Sequence, residues 1–149
     1  MNLNYSGQET IAAPHDAVWK FINDPASIAS CMPDVLESTV IDPHTFDAVV
    51  GVAVGPVRGK FTFHVTLEPQ PDQKRLNMKI SGGGFGSVVD LTAGADLTTT
   101  NGVTTLDWTG AADMRGPVAT VGGRVLDTQA KRVITTTFAN VKARLTPAG

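Results

Sequence analysis

The sequence predicts an α+β fold: a curved antiparallel sheet of about seven strands around one long C-terminal helix, with two short helices after the first strand. Three observations carry that expectation. Residues 118–145, introduced by Gly116-Pro117, form the one stretch long and breaker-free enough to be a long helix. At about 100° per residue, Leu126, Ala130, Val133, Ile134, Thr137 and Val141 share one face of it. Arg124, Lys131, Thr135 and Lys142 share the other. Second, Val57, Gly59, Phe61, Phe63, Val65 and Leu67 alternate with Arg58, Lys60, Thr62, His64 and Thr66. A strict period of two means one buried face and one wet face, the mark of an antiparallel sheet. Third, turn signals divide the middle of the chain into short strands with no room for crossover helices, and Asn101-Gly102 is a strong hairpin turn.

The elements follow in order. Leu3 to Ile11 reads as a first strand. Pro14-His15-Asp16 opens a short helix whose apolar face is Val18, Trp19, Phe21 and Ile22. Asn23-Asp24-Pro25 stops it and caps a second, Ala26 to about Cys31, ended by Met32-Pro33-Asp34. Val35 to Ile41 is a strand, and Asp42-Pro43-His44 a turn. Phe46 to Val54, the alternating strand from Val57, Leu76-Met78-Ile80 and a long strand through about Thr100 continue the meander, with turns at Gly55-Pro56, Pro69 to Asp72 and Gly82 to Gly86. Thr104, Leu106, Trp108, Gly110, Ala112 and Met114 form the inner face of the last strand. Pro117 suits a first helical turn, where no backbone N–H is needed, and Pro147 lies just past the end. The helix should be roughly 40 Å long. It is the element able to cover the apolar face of the sheet.

At 149 residues the chain is expected to be one domain, 1–149, with 42% hydrophobic and 17% charged residues. A net charge of −2 provides no basic field for nucleic acid. Cys31 is the one cysteine, which removes an intrachain disulfide. No signal peptide is legible at the start, and no run approaches the ~18 apolar residues of a spanning helix. The expected placement is cytoplasmic.

The interior is predicted to be underfilled. Gly82, Ala93, Ala95, Gly110 and Ala112 are expected to face the helix, and Gly122 to face back. Gly122 and Gly123, side by side in a helix interior, would each cost about 1 kcal/mol relative to Ala. Interiors pack to near crystal density, so either the sheet closes tightly there or a cavity exists. A cavity walled by Phe61, Phe63, Met78, Trp108 and Met114 would suit an apolar ligand, and these side chains are equally readable as plain core. Gln129 lies near Gly122 on the helical wheel, either as a polar contact for a ligand carbonyl or as a rim residue in water.

Other chemistry finds little support. Gly59-Lys60 is not a phosphate loop, since Val54 stands where Gly is needed and Phe61 replaces Ser/Thr. Gly82 to Gly86 lacks dinucleotide spacing and reads as a hairpin tip, with Phe85 folded back on its own hairpin or serving as a lid or membrane-touching aromatic. His15, His44 and His64 have no ligand spacing, so no metal is expected. Cys31 reads as a buried, inert thiol. Asp90, Asp96, Asp107 and Asp113 read as solvated charge on the outer face.

The order of elements resembles the helix-grip fold of START-like (SRPBCC) domains. Asp24-Pro25 with Cys31-Met32-Pro33, then residues 54–61 (Val-Gly-Pro-Val-Arg-Gly-Lys-Phe), then Gly116 through Gly122-Gly123-Arg124-Val125-Leu126 are similar to the CoxG family, named for the G subunit of carbon monoxide dehydrogenase. Asp34 stands where that family usually has Gly. The resemblance implies a non-catalytic accessory of a molybdenum-containing CO dehydrogenase or related hydroxylase. It also implies binding of a lipophilic molecule such as a respiratory quinone, with no covalently bound cofactor, and a role in electron-acceptor delivery, recruitment or maturation. Many members carry a C-terminal extension tied to membrane attachment; this sequence ends at Gly149 without one, so at most peripheral contact at the inner face of the cell membrane is expected. The family's fold would place Ile28 and Met32 as gates at the cavity mouth, and its motif adds Val125 and Leu126 to the ligand-binding set. The same fold hosts cyclases, dehydratases and hydrolases. An enzyme of that kind would need an inward ionisable residue, and the expected inner faces hold almost none. A structural adaptor with a solid core is the third reading.

Overall fold

The computed structural model describes residues 1–54 and 57–145. The strands are β1 (Asn2–Ile11), β2 (Val35–Asp42), β3 (Thr45–Val54), β4 (Val57–Gln70), β5 (Arg75–Gly84), β6 (Ser87–Thr100) and β7 (Val103–Arg115). The helices are α1 (His15–Ile22), α2 (Pro25–Cys31) and α3 (Gly123–Leu145). The expected turn at Gly55-Pro56 and the stop at Pro147 lie outside the described residues.

Local chemistry accounts for most boundaries. The Asp24 carboxylate accepts from the Ala26 backbone N–H at 3.3 Å and from the Ser27 hydroxyl at 2.7 Å, capping α2, and Pro25 occupies the first turn. Asn101 and Gly102 both adopt positive φ, +53° and +75°, as the tight turn between β6 and β7 requires.

The seven strands form one antiparallel sheet in the order β1-β7-β6-β5-β4-β3-β2. Consecutive strands are neighbours except at β1, which pairs with β7 from Leu3 against Ala112 to Ile11 against Thr104. The predicted phase of β4 holds: Phe61, Val65 and Leu67 are buried, while Lys60 and Thr62 are exposed.

Two apolar clusters hold the sheet to the helices. One gathers α1, α2 and one end of the sheet, with Ile11, Val18, Ile22, Phe46, Val65, Leu67 and Leu106 at its centre. The other gathers Phe61, Val89, Val118 and Leu126 at the opposite end. α3 contributes one fully buried side chain to each, Val141 to the first and Leu126 to the second. These two supports are about 22 Å apart at roughly 1.5 Å per residue. Between them Ala130, Val133, Ile134 and Thr137 are only half-buried.

The helix differs from expectation at its start. Pro117–Val121 is a separate 3-10 turn, and α3 begins at Gly123. Gly122 joins the two at φ +96°, outside helical conformation, so neither glycine weakens a helix interior. The Val118 N–H donates to the buried Ser87 hydroxyl at 2.9 Å and pins the turn to β6. Gly82 is also corrected. A Cβ there would run into the Thr62 carbonyl and the Phe63 backbone, so its small size serves strand contact and adds no interior room.

If α3 rests on two supports, truncations along it should differ sharply. Leu126→Ala is expected to cost about 2–5 kcal/mol of unfolding free energy and Val133→Ala less than about 1 kcal/mol, read from urea midpoints at constant slope.

Candidate functional site

The space between the sheet and the middle of α3 is the candidate site. Register aligns Tyr5 of β1, Gly110 of β7, Ala93 of β6 and Met78 of β5 in one row across the inner face. Two large side chains flank a glycine and an alanine, which leaves a trough. All four are half-buried, as are Ile80 and Leu91 in the adjoining row. A Cβ at Gly110 would meet only the Thr92 carbonyl, at 3.9 Å, so its inner side faces open space.

Polar ties hold α3 along both margins of this space. On the β1 side the Tyr5 hydroxyl donates to Asp127 Oδ1 at 2.8 Å, and Lys142 Nζ lies 3.0 Å from Glu9 Oε1. On the α2 side Arg132 grips Asp34 with two bonds of 2.9 and 3.3 Å. There Asn140 also donates to the Cys31 carbonyl at 2.9 Å, and Arg144 to the Ser30 hydroxyl at 2.7 Å. The departure at Asp34 therefore has a function: its carboxylate anchors the middle of α3 to the turn before β2.

A cavity of about 350 Å³ opens between β1 and the second half of α3, lined by Glu9, Trp108, Ile134, Thr135, Phe138, Ala139 and Lys142. The Trp108 indole lies against Gly7, where any side chain would collide with it, and its ring centre is 5.4 Å from that of Phe138. Its buried Nε1–H has no hydrogen-bond partner among the described residues. A larger concavity, about 610 Å³, lies over β1, β5, β6 and β7, and Asn4, Ser6, Glu68, Arg75, Asn77 and Lys79 give it the polarity of the outer sheet face. There Arg75 is laid across Gly94 and bonds Asn77 and Asp96, each at 2.9 Å.

The expected apolar wall is not brought together in one pocket. Phe61, Phe63, Met114 and Leu126 belong to the second cluster, with Phe61 and Leu126 fully buried as core. Met78, Ile28 and Met32 pack half-buried on the first. Trp108 is the member of the set that lines the cavity against α3. Gly122 has only open space where a Cβ would stand and acts as a linker, and Gln129 is half-buried. Val125 is 43% exposed, so it stands outside the wall, on the flank of α3 turned toward solvent.

The inner face also holds more ionisable chemistry than expected. Tyr5 and Glu9 reach α3 from the face of β1 that they share with Leu3, Gly7 and Ile11; the period of β1 carries that signal. Phe138 escaped the helical wheel because it stands about 40° past Ile134, on the flank of the apolar face. Burial, then the hydrogen bond to the Asp127 carboxylate, push the Tyr5 phenol up to about 12. The same bond, with help from Lys131, holds Asp127 below its ordinary value. Tyr5 is thus a neutral hydroxyl committed as a donor.

The remaining candidates are structural. Cys31 is fully buried and burial raises its thiol. The His64 side chain is half exposed and 2.6 Å from Asp47. Asp90 faces Asp113 and Asp96 faces Asp107 across β6 and β7, on the outer face as predicted, with Arg115 and Arg75 as counter-charges. Among the described residues no group of His, Cys, Asp and Glu could hold a metal ion, and no helix is long and apolar enough to cross a membrane.

The sequence profile of CoxG, the G subunit of carbon monoxide dehydrogenase, matches residues 7–146. The chain belongs to the CoxG family. A comparison with curated proteins returned no similar sequence. Solved structures share the START-like fold. A conserved protein from Geobacillus kaustophilus is 23% identical with a TM-score of 0.85, covering 96% of this CoxG chain and 95% of its own. A START superfamily protein from Mycobacterium smegmatis is 12% identical with a TM-score of 0.72, covering 95% and 96%. The Zhui aromatase/cyclase from Streptomyces sp. R1128 is 15% identical with a TM-score of 0.70, covering 97% and 94%.

Tyr5 is the chain's one tyrosine, so phenolate absorbance reads it alone. Its titration should centre near pH 12 and fall toward 10 in Asp127→Asn. A phenol raised on folding binds its proton more tightly in the native state. Its contribution to stability is therefore whole below pH 10 and lost as pH rises through about 12.

Proposed function

We propose that this protein is a non-catalytic carrier of a small lipophilic molecule, a quinone being the best fit, and an accessory of a molybdenum-containing CO dehydrogenase or related hydroxylase. The ligand would accept electrons from that enzyme. The family supplies the enzyme context. The observation that supports a carrier is the partly covered trough under α3, where Tyr5, Met78, Ala93 and Gly110 face a helix that is fully buried only at its two supports.

The chemistry of the trough favours binding. Its walls are apolar, and its inward ionisable groups are engaged: Tyr5 with Asp127 and Glu9 with Lys142. Burying roughly 300 Å² of apolar ligand surface gives about 7 kcal/mol before entropic costs, which supports micromolar affinity at best. A carrier needs release as much as capture, and such an affinity provides both.

Organic extraction of natively purified protein, followed by mass spectrometry, should yield a quinone or another lipid near stoichiometry. An empty extract together with no uptake of added menaquinone or ubiquinone analogues would sink the carrier reading and favour an adaptor. Gly110→Leu, which fills the trough, should keep the fold and weaken uptake by at least about tenfold.

A further inference from the structure

The trough has a polar bias that its apolar walls conceal. In the row that holds Tyr5, and in the rows on either side of it across β1, β7, β6 and β5, the side-chain N and O atoms are the Tyr5 hydroxyl and the Trp108 N–H alone. The indole N–H is buried against Gly7, with Nε1 only 3.1 Å from where a Cβ would stand there, and is closed to a ligand. From the helix, half-buried Gln129 and Thr137 can both donate and accept, so neither chooses between ligands. The choice falls to Tyr5.

Tyr5 has no proton to offer. Its hydroxyl donates to Asp127 Oδ1 at 2.8 Å, and Lys131 Nζ lies 3.1 Å from Oδ2 of the same carboxylate. The Tyr5 bond first, then Lys131, hold Asp127 below its ordinary value, so the carboxylate is charged and only accepts. A charge-assisted hydrogen bond is about twice as strong as a neutral one, so a ligand carbonyl does not draw the phenol proton away. What the oxygen keeps is its lone-pair side, an acceptor at the β1 margin of the trough.

We propose that the trough selects ligands that bring a hydrogen-bond donor to Tyr5, and so holds a quinol, or another lipophilic phenol, more tightly than the matching quinone. This preference rests on the carrier reading and specifies which form of the cargo is held. A quinone presents acceptors alone, and its carbonyl set against the Tyr5 oxygen leaves both sets of lone pairs unanswered. Two electrons and two protons turn its two carbonyls into two O–H groups, and one of those donors answers Tyr5. One such bond is worth roughly fivefold in affinity. A fivefold preference for the reduced member raises the midpoint potential of the bound couple by about 20 mV, which makes the held quinone the better electron acceptor.

Titration calorimetry of the full chain tests it with matched pairs: menadiol against menadione without oxygen, and an air-stable naphthol against its methyl ether. In each pair the O–H member should bind at least about fivefold tighter. Tyr5→Phe removes the acceptor and should bring the members of each pair within about twofold of one another. Asp127→Asn, an isosteric change on the partly exposed flank of α3, releases the phenol proton from its charged acceptor. Menadione should then gain, and the preference for menadiol shrink to about twofold or less, a readout that stands even if Tyr5→Phe does not fold. Equal binding within the pairs, or a preference that both variants leave untouched, overturns the proposal while the carrier reading stands. Uptake of no member of either pair overturns both.

Discussion

The fold depends on how α3 is seated. A helix of this length usually lays a continuous apolar stripe on the sheet below it. Here one side chain at each end is fully buried, and the span between them crosses a row containing glycine and alanine. Hydrogen bonds and ion pairs from Asp34, Tyr5 and Glu9 steady the span from its margins instead. Exposed ion pairs are individually weak, typically below about 1 kcal/mol. They fix direction more than they add stability, and they keep the helix over a space it does not fill.

That arrangement divides the labour between the two apolar clusters and the region between them. The cluster at α1 and α2 includes most of the large buried side chains. The smaller cluster around Phe61 and Leu126 closes the other end. Trp108 marks the boundary of the region between them: its ring packs on Gly7 and Phe138, and its N–H finds no hydrogen-bond partner among the described residues.

Much of this was legible in the sequence. The alternation through Phe61, Phe63 and Val65 and the turn at Asn101-Gly102 specify the meander, and the Gly116 to Leu126 motif points to the family. What escaped depended on contacts distant in sequence. The break at Gly122 is invisible to a helical wheel: it lies in the positive φ of that glycine, beside a turn that Ser87 holds through Val118. The inward placement of Tyr5 and Glu9 follows from pairing with β7, about 100 residues away in sequence. Small residues predicted space correctly at Gly110 and wrongly at Gly82, since composition cannot tell a glycine facing a void from one pressed against a neighbouring strand.

The pairing of β1 with β7 also constrains how the chain is made. As the chain emerges from the ribosome, β1 appears about 100 residues before its partner β7. At roughly 5–20 residues per second it waits some seconds to tens of seconds with both edges unpaired. Its composition suits that wait: Asn2, Asn4, Ser6, Gly7 and Gln8 leave it polar and a poor template for aggregation. The β1 edge can be paired only once β7 exists, and the helix that follows then ties Tyr5 and Glu9 into place.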